Sequence, residues 1–122
     1  MASLEEIRNA RLDKLEILKK NGINPYPISA ERDYSLLDVA LDFEKIVQKG
    51  KPTSLVGRIM SLRPQGGLIF FTLHDGTGKF QGLLKKDDTN ASIFDLFSQT
   101  TDIGDFIEIK GTLFLTKRSE KT

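Results

Sequence analysis

Phe70, Thr72 and Gln81, flanked by Lys79 and Lys85, are the residues in and just after "GGLIFFTLHDGTGKFQG" whose types and spacing could do chemistry. Side chains alternate across an extended strand. Ile69, Phe71 and Leu73 then fall on one wholly apolar face, and Leu68, Phe70, Thr72 and His74 on the other. In the next stretch Phe80 and Leu84 share a face, which leaves Lys79, Gln81, Leu83 and Lys85 opposite. Core faces must match across a hairpin, so Gln81 is expected beside Thr72 or Phe70 on the outer side. An aromatic ring stacks on an unpaired base for roughly 1 to 3 kcal/mol, and a carboxamide can hydrogen-bond a base edge. The lysines, with Arg58 or Arg63 where these project outward, neutralise phosphates. The same surface also suits a second role, in which Phe70 anchors a partner domain, and a single ring does not separate the two.

Other residue types close off other chemistries. The chain has no Cys, so disulfides, thiolate zinc sites and cysteine nucleophiles are excluded within it, and its single histidine, His74, cannot build a histidine cluster. His74 beside Asp75 reads as a surface pair at a hairpin end rather than an acid-base dyad. "GTGK" lacks both the leading glycine and the following Ser/Thr of a phosphate loop, so it reads as a turn. Asp87-Asp88 reads as a solvated turn, and "NAS" at Asn90 as a helix start rather than a glycosylation site. No nucleophile, base and oxyanion site assemble, so no catalytic, cofactor or metal residue is assigned.

The elements that must hold these residues follow from pattern. "SLEEIRNARLDKLEILKKNG" reads as a helix, with Ser3 and Glu6 as a capping box and Gly22 as the stop. Its apolar stripe is partial (Leu4, Ile7, Leu15, Leu18), so its charged residues are expected in solvent. "INPYPIS" is an extended connector. A second helix starts at Ser35 and stops at Gly50, with Leu36, Leu37, Ala40, Leu41 and Val47 expected to face one partner. From Thr53 the period changes to two. "TSLVGRIMSLR" is a strand with a bulge or bend expected at Gly57. "GLIFFTLHD" and "KFQGLLKKD" form a hairpin through Asp75-Gly76-Thr77-Gly78. "TNASIFDLFSQTT" is a short helix capped by Thr89 or Asn90, and "GDFIEIKGTLFLTK" is a fourth strand with Gly111 as a second bend.

Strand, strand, strand, helix, strand is the order of a five-stranded Greek-key barrel of the OB type, mainly β with helices, whose fifth strand is truncated. The division expected is a helical extension over 1–50 and the barrel over 51–122, with the natural polypeptide continuing past Thr122 and the open edge favouring self-association. Charge is nearly balanced, 18 basic against 17 acidic residues, so a polycation that coats any nucleic acid is excluded. Residues 51–122 carry a net +2 against −1 for residues 1–50, a weak basic bias on the side of the barrel. No apolar run reaches membrane-spanning length and the N-terminus does not read as a signal peptide, so the expectation is a cytoplasmic protein without a membrane partner.

The quoted segments "LEEIRNARLDKLEILKKNGINPYP", "LVGRIMSLR", "LIFFTLHDGTGKFQ" and "GDFIEIKGTLFLTK" together resemble the N-terminal, anticodon-binding part of a class II lysyl-tRNA synthetase, in order and over nearly the whole chain. The hairpin alone is equally similar to the aspartyl and asparaginyl enzymes; the leading helix into "NGINPYP" and the "GRIMSLR" strand favour the lysyl enzyme. The resemblance implies a barrel that grips the U-rich anticodon loop of lysine tRNA. It implies that Phe70 stacks on the middle uridine, that Gln81 hydrogen-bonds an anticodon base, that Glu120 reads the middle base, and that Arg63 touches RNA. For the longer enzyme it implies a homodimer that joins lysine to tRNA with ATP and Mg2+, through an adenylate formed outside these residues. Two departures bear on the site. Gly82 stands where the family carries a bulkier residue, which is expected to loosen the strand beside Gln81. "RSEKT" lacks the turn glycine before the glutamate, which leaves Glu120 the least secure of these assignments, its order near the end of the chain left open. The remaining alternatives are an aspartyl or asparaginyl barrel and a protein-interaction barrel with no RNA role.

Overall fold

The computed structural model describes residues 2–122. Helix α1 spans Leu4–Lys20, with the Glu6 N–H donating to Ser3 Oγ at 3.1 Å. As expected of a broken apolar stripe, it buries none of its residues. It is tethered by charge instead: Lys14 Nζ meets Asp102 Oδ1 at 2.6 Å, and Arg11 Nη2 donates to the Ile103 carbonyl at 3.4 Å.

The single helix expected over 35–50 is two, α2 (Leu36–Leu41) and α3 (Phe43–Gln48), broken at Asp42. The face assigned to it is also corrected. Leu36, Val39, Phe43 and Ile46 are the buried stripe, whereas Leu37, Leu41 and Val47 point to solvent, Leu41 with 71% of its surface exposed. Those four positions bring α2 and α3 into one core with Leu55, Ile59, Phe71, Leu73 and Phe80 of the strands. Phe43 meets Phe80 with ring centroids 6.3 Å apart. The residues from 36 onward therefore share the core of the sheet they cover.

Four strands, β1 (Thr53–Gln65), β2 (Leu68–His74), β3 (Lys79–Lys85) and β4 (Phe106–Gly111), form one antiparallel sheet in the order β3-β2-β1-β4. Helix α4 (Ala91–Thr100) bridges β3 and β4, capped by Asn90, which accepts from the Ser92 N–H at 2.8 Å. Its Phe97 ring lies 5.8 Å from Phe71, so the core is covered from this side as well. The β1 irregularity lies not at Gly57 but between Ile59 and Ser61, where Met60 is the extra residue. Gly57 answers to space: a Cβ there would stand 3.0 Å from Leu73 Cβ and 3.1 Å from the His74 carbonyl oxygen.

β4 ends at Gly111, short of the strand expected to run on to Lys117. Beyond it, Phe114 and Thr122 exchange two backbone hydrogen bonds of 2.9 Å, and Leu115 bridges Lys121. A hairpin return is thus already made at Thr122, and Glu120 belongs to it, its carbonyl accepting from the Thr116 N–H at 3.0 Å. An open, largely apolar groove of about 120 Å³ remains between β3 and the segment after β4, lined by Phe71, Leu84, Ile109 and Leu113 among others.

Candidate nucleic-acid interface

Strand pairing turns the outer face into rungs. Arg58, His74 and Lys79 form one; Ser61, Thr72 and Gln81 the next; Arg63, Phe70 and Leu83 the third; Gln65, Leu68 and Lys85 the last. Arg58 and Arg63 are an odd number of residues apart, so strict alternation would send one of them into the core. The bulge at Met60 absorbs one residue and restores both to the outer face, while Ile59 and Leu62 stay on the inner one.

The middle rungs converge. The Arg63 guanidinium carbon lies 5.7 Å from the centroid of the Phe70 ring, and Arg63 Nη2 reaches across β2 to donate to Gln81 Oε1 at 2.8 Å. Gln81 lies directly opposite Thr72, one of the two outer-face positions the alternation allows. Its Nε2 donates to Thr122 Oγ1 at 3.0 Å, and Ser61 Oγ donates to Thr72 Oγ1 at 2.9 Å. Phe70, Arg63, Thr72 and Gln81 are thereby brought together on a surface left partly open to solvent.

The other expected residues surround this centre at different distances from it. Lys79 is exposed at one end of β3. Lys85, at the other end, pairs with Asp88 at 3.8 Å and lies 5.5 Å from the Phe114 ring. Arg58 is not brought to the centre: its Nε donates to the Gly104 carbonyl at 3.0 Å, and its guanidinium lies 5.4 Å from the Phe106 ring. Glu120 reaches Gln81 only through its backbone, via Thr122, while its carboxylate accepts from Thr116 Oγ1 at 3.3 Å.

Gly82 does not loosen the strand beside Gln81. The buried Phe71 ring occupies the volume a side chain would take, and a Cβ at Gly82 would stand 2.2 Å from it. Asp75 likewise corrects the surface-pair reading, because it is a joint of the scaffold. Its Oδ2 accepts from the Leu36 N–H at 2.9 Å, and its Oδ1 from Thr77 Oγ1 at 2.6 Å, the Thr77 N–H at 2.9 Å and the Gly78 N–H at 3.3 Å. Partial burial pushes the Asp75 carboxyl up, but the bonds from Thr77, Leu36 and Gly78 outweigh it and hold the group below its ordinary value. The β2–β3 turn thereby caps α2 and ties the aromatic hairpin directly to the helices.

Sequence reasoning missed Thr122 and Ser61. Ser61 was hidden by the bulge, and Thr122 by the unread register of the last hairpin against β3.

A mainly β, four-stranded antiparallel sheet with helices, presenting aromatic, amide and cationic side chains on its outer face, is consistent with an OB-fold nucleic-acid-binding domain. Residues 53–122 match the family model described as tRNA_anti-codon, OB-fold nucleic acid binding domain, and the chain belongs to that family. More particularly, it is an anticodon-binding OB domain that matches lysine–tRNA ligases over nearly its whole length. The lysine–tRNA ligase of Thermosipho africanus is 32% identical over 98% of this chain and 24% of its own length. Those of Roseiflexus castenholzii and Trichormus variabilis are 36% and 37% identical, over 96% and 97% of this chain and 24% and 23% of theirs. The chain spans about a quarter of the length of these relatives. Among the described residues, no helix is long and apolar enough to cross a membrane.

Proposed function

We propose that this domain reads the anticodon of lysine tRNA for a lysine–tRNA ligase of which it forms about a quarter. The observation that carries the reading is the convergence of Phe70, Arg63 and Gln81 on one outer face. Phe70 offers a stacking surface to an unstacked base and supplies affinity that tolerates any base. Gln81, with Glu120 at the hairpin rim, supplies choice, because a polar group built to pair with uracil is left unpaired against another base, at about 1 to 3 kcal/mol. Lys79, Lys85, Arg63 and, further out, Arg58 fix the register of the phosphates, while Thr72 supports the rung on which Gln81 stands.

The whole enzyme on this reading attaches lysine to tRNA through an ATP-derived adenylate, as a homodimer, in the cytoplasm. ATP and Mg2+ would be held elsewhere in that enzyme. A fifth strand, begun by the return at Thr122, would complete the barrel along the open groove.

The test is a fluorescence titration, at one fixed salt concentration, with two anticodon stem-loops differing only in the middle base, U against C. A preference for U that Gln81→Ala abolishes is expected. Equal affinity for both stem-loops, unchanged in Gln81→Ala, would refute the reading and leave a generic single-strand platform.

A further inference from the structure

The carboxamide of Gln81 ends in an oxygen that accepts and a nitrogen that donates. Turning it by 180° exchanges the two with little change of shape, so only its partners decide which faces where. The consequence for a base is direct. Uracil offers O4, an acceptor, beside the N3–H donor; cytosine offers the N4 amino donor beside N3, an acceptor. At one fixed base position, an amide turned one way complements uracil and turned the other way complements cytosine.

The partners of Gln81 leave one choice. Arg63 Nη2 donates to Oε1 at 2.8 Å, and Nε2 donates to Thr122 Oγ1 at 3.0 Å. The Thr122 hydroxyl in turn donates to the Glu120 carbonyl at 3.1 Å. A guanidinium can only donate and a backbone carbonyl can only accept, so the bonds run in a single direction from Arg63 to Glu120. With its one proton committed to Glu120, the Thr122 oxygen has only lone pairs to offer, and the amide nitrogen must face it. Thr122 is also well held, 5% exposed and joined to Phe114 by two backbone bonds of 2.9 Å.

We propose that Thr122 is a specificity-determining residue of this face, which together with Arg63 fixes the carboxamide of Gln81 in one orientation and so sharpens the choice between uracil and cytosine. This rests on the anticodon reading above. One Nε2 proton and one Oε1 lone pair remain for the base, in an order the base cannot reverse without breaking the bonds to Arg63 and Thr122.

The experiment compares the chain with Thr122→Val, which keeps the shape and removes the hydroxyl, and Thr122→Ser, which keeps the hydroxyl and removes the methyl. Affinities for the U and C stem-loops are measured at one fixed salt concentration, alongside the side-chain amide resonances of Gln81 in the free protein. Expected is a U preference of at least about tenfold in the parent and in Thr122→Ser. In Thr122→Val, where Arg63 alone is left to hold Oε1, the preference falls by about threefold or more without vanishing. The parent spectrum should show a nuclear Overhauser contact between the Gln81 amide protons and Thr122, weakened in Thr122→Val as the amide loses one of its two anchors. An unchanged preference in Thr122→Val, or an equal loss in Thr122→Ser, would overturn the role of the hydroxyl. A parent that keeps the amide contact and yet binds both stem-loops alike would overturn the anticodon reading itself, and the proposal with it.

Discussion

Arg63 and Phe70 pair across β1 and β2, with the guanidinium carbon 5.7 Å from the ring centroid. The ring thus already carries a planar cation, and an arriving base completes a stack rather than founding one. Phe70→Ala is expected to weaken both stem-loops by about 1 to 3 kcal/mol, leaving their ratio unchanged, because every base has a face to stack. Titration of both RNAs checks it, and a change in ratio would place Phe70 among the residues that choose.

Lys79 and Lys85 stand at opposite ends of β3, and they differ in partnership. Lys85 is already paired with Asp88, whereas Lys79 forms no ion pair among the described residues. Lys79→Ala should lower the slope of log affinity against log salt by about 0.7, the value for one phosphate contact on a single strand. Lys85→Ala should lower it by less. A salt series on each variant decides the order.

Gly82 and the Phe71 ring share a space with no room for both a side chain and the ring. Gly82→Ala is expected to destabilise the fold by about 1 to 3 kcal/mol, as overpacking of a filled core does. Adding Phe71→Leu should recover part of that loss, so that the two changes are not additive in urea unfolding.

Ser119 adopts φ 61° in the last hairpin, where its N–H donates to the Thr116 carbonyl at 2.8 Å. A side chain in the left-handed region costs about 1 to 2 kcal/mol, and glycine escapes most of it. Ser119→Gly should therefore raise the melting temperature by a few degrees and protect the Thr122 amide from hydrogen exchange. No gain in either would show that the turn bears no strain.

Asp75 gives the fold an acid limit. Its carboxyl titrates below the ordinary range in the folded chain, so its contribution is full above the unfolded value, about 3.9, and is lost as pH falls through the folded one. Asp75→Ala should cost about 1 kcal/mol at pH 7 through the lost cap on α2 and less at pH 3. Chemical denaturation at both pH values tests this, and equal losses would sink it.

The hairpin was legible because its signal is local: a period of two, a glycine-rich turn, and apolar residues on one side only. That logic put Gln81 on the outer face beside Thr72 or Phe70 and turned Phe70 outward; the structure takes the register that sets Gln81 opposite Thr72. The α2–α3 stripe was not legible. Apolar residues crowd positions 36 to 47 so densely that several faces satisfy the period, and the break at Asp42 shifts the phase. The bulge at Met60 was misplaced to Gly57 because a bulge of the common type requires no special residue, whereas a glycine also marks close packing, its role at Gly57. Asp75 and Thr122 act on Leu36 and Gln81, 39 and 41 residues away in sequence, distances at which no pattern of spacing speaks.

The extra residue at Met60 has a geometric meaning of its own. Striking it out would leave Ile59, Ser61 and Leu62 opposite the same partners, Leu73, Thr72 and Phe71, so the ladder does not depend on it. What a bulge adds is twist. The rungs that carry Arg58, Gln81 and Phe70 are therefore turned against one another like the treads of a spiral stair, so the three side chains leave the sheet in different directions and no flat ligand can lie on all of them at once.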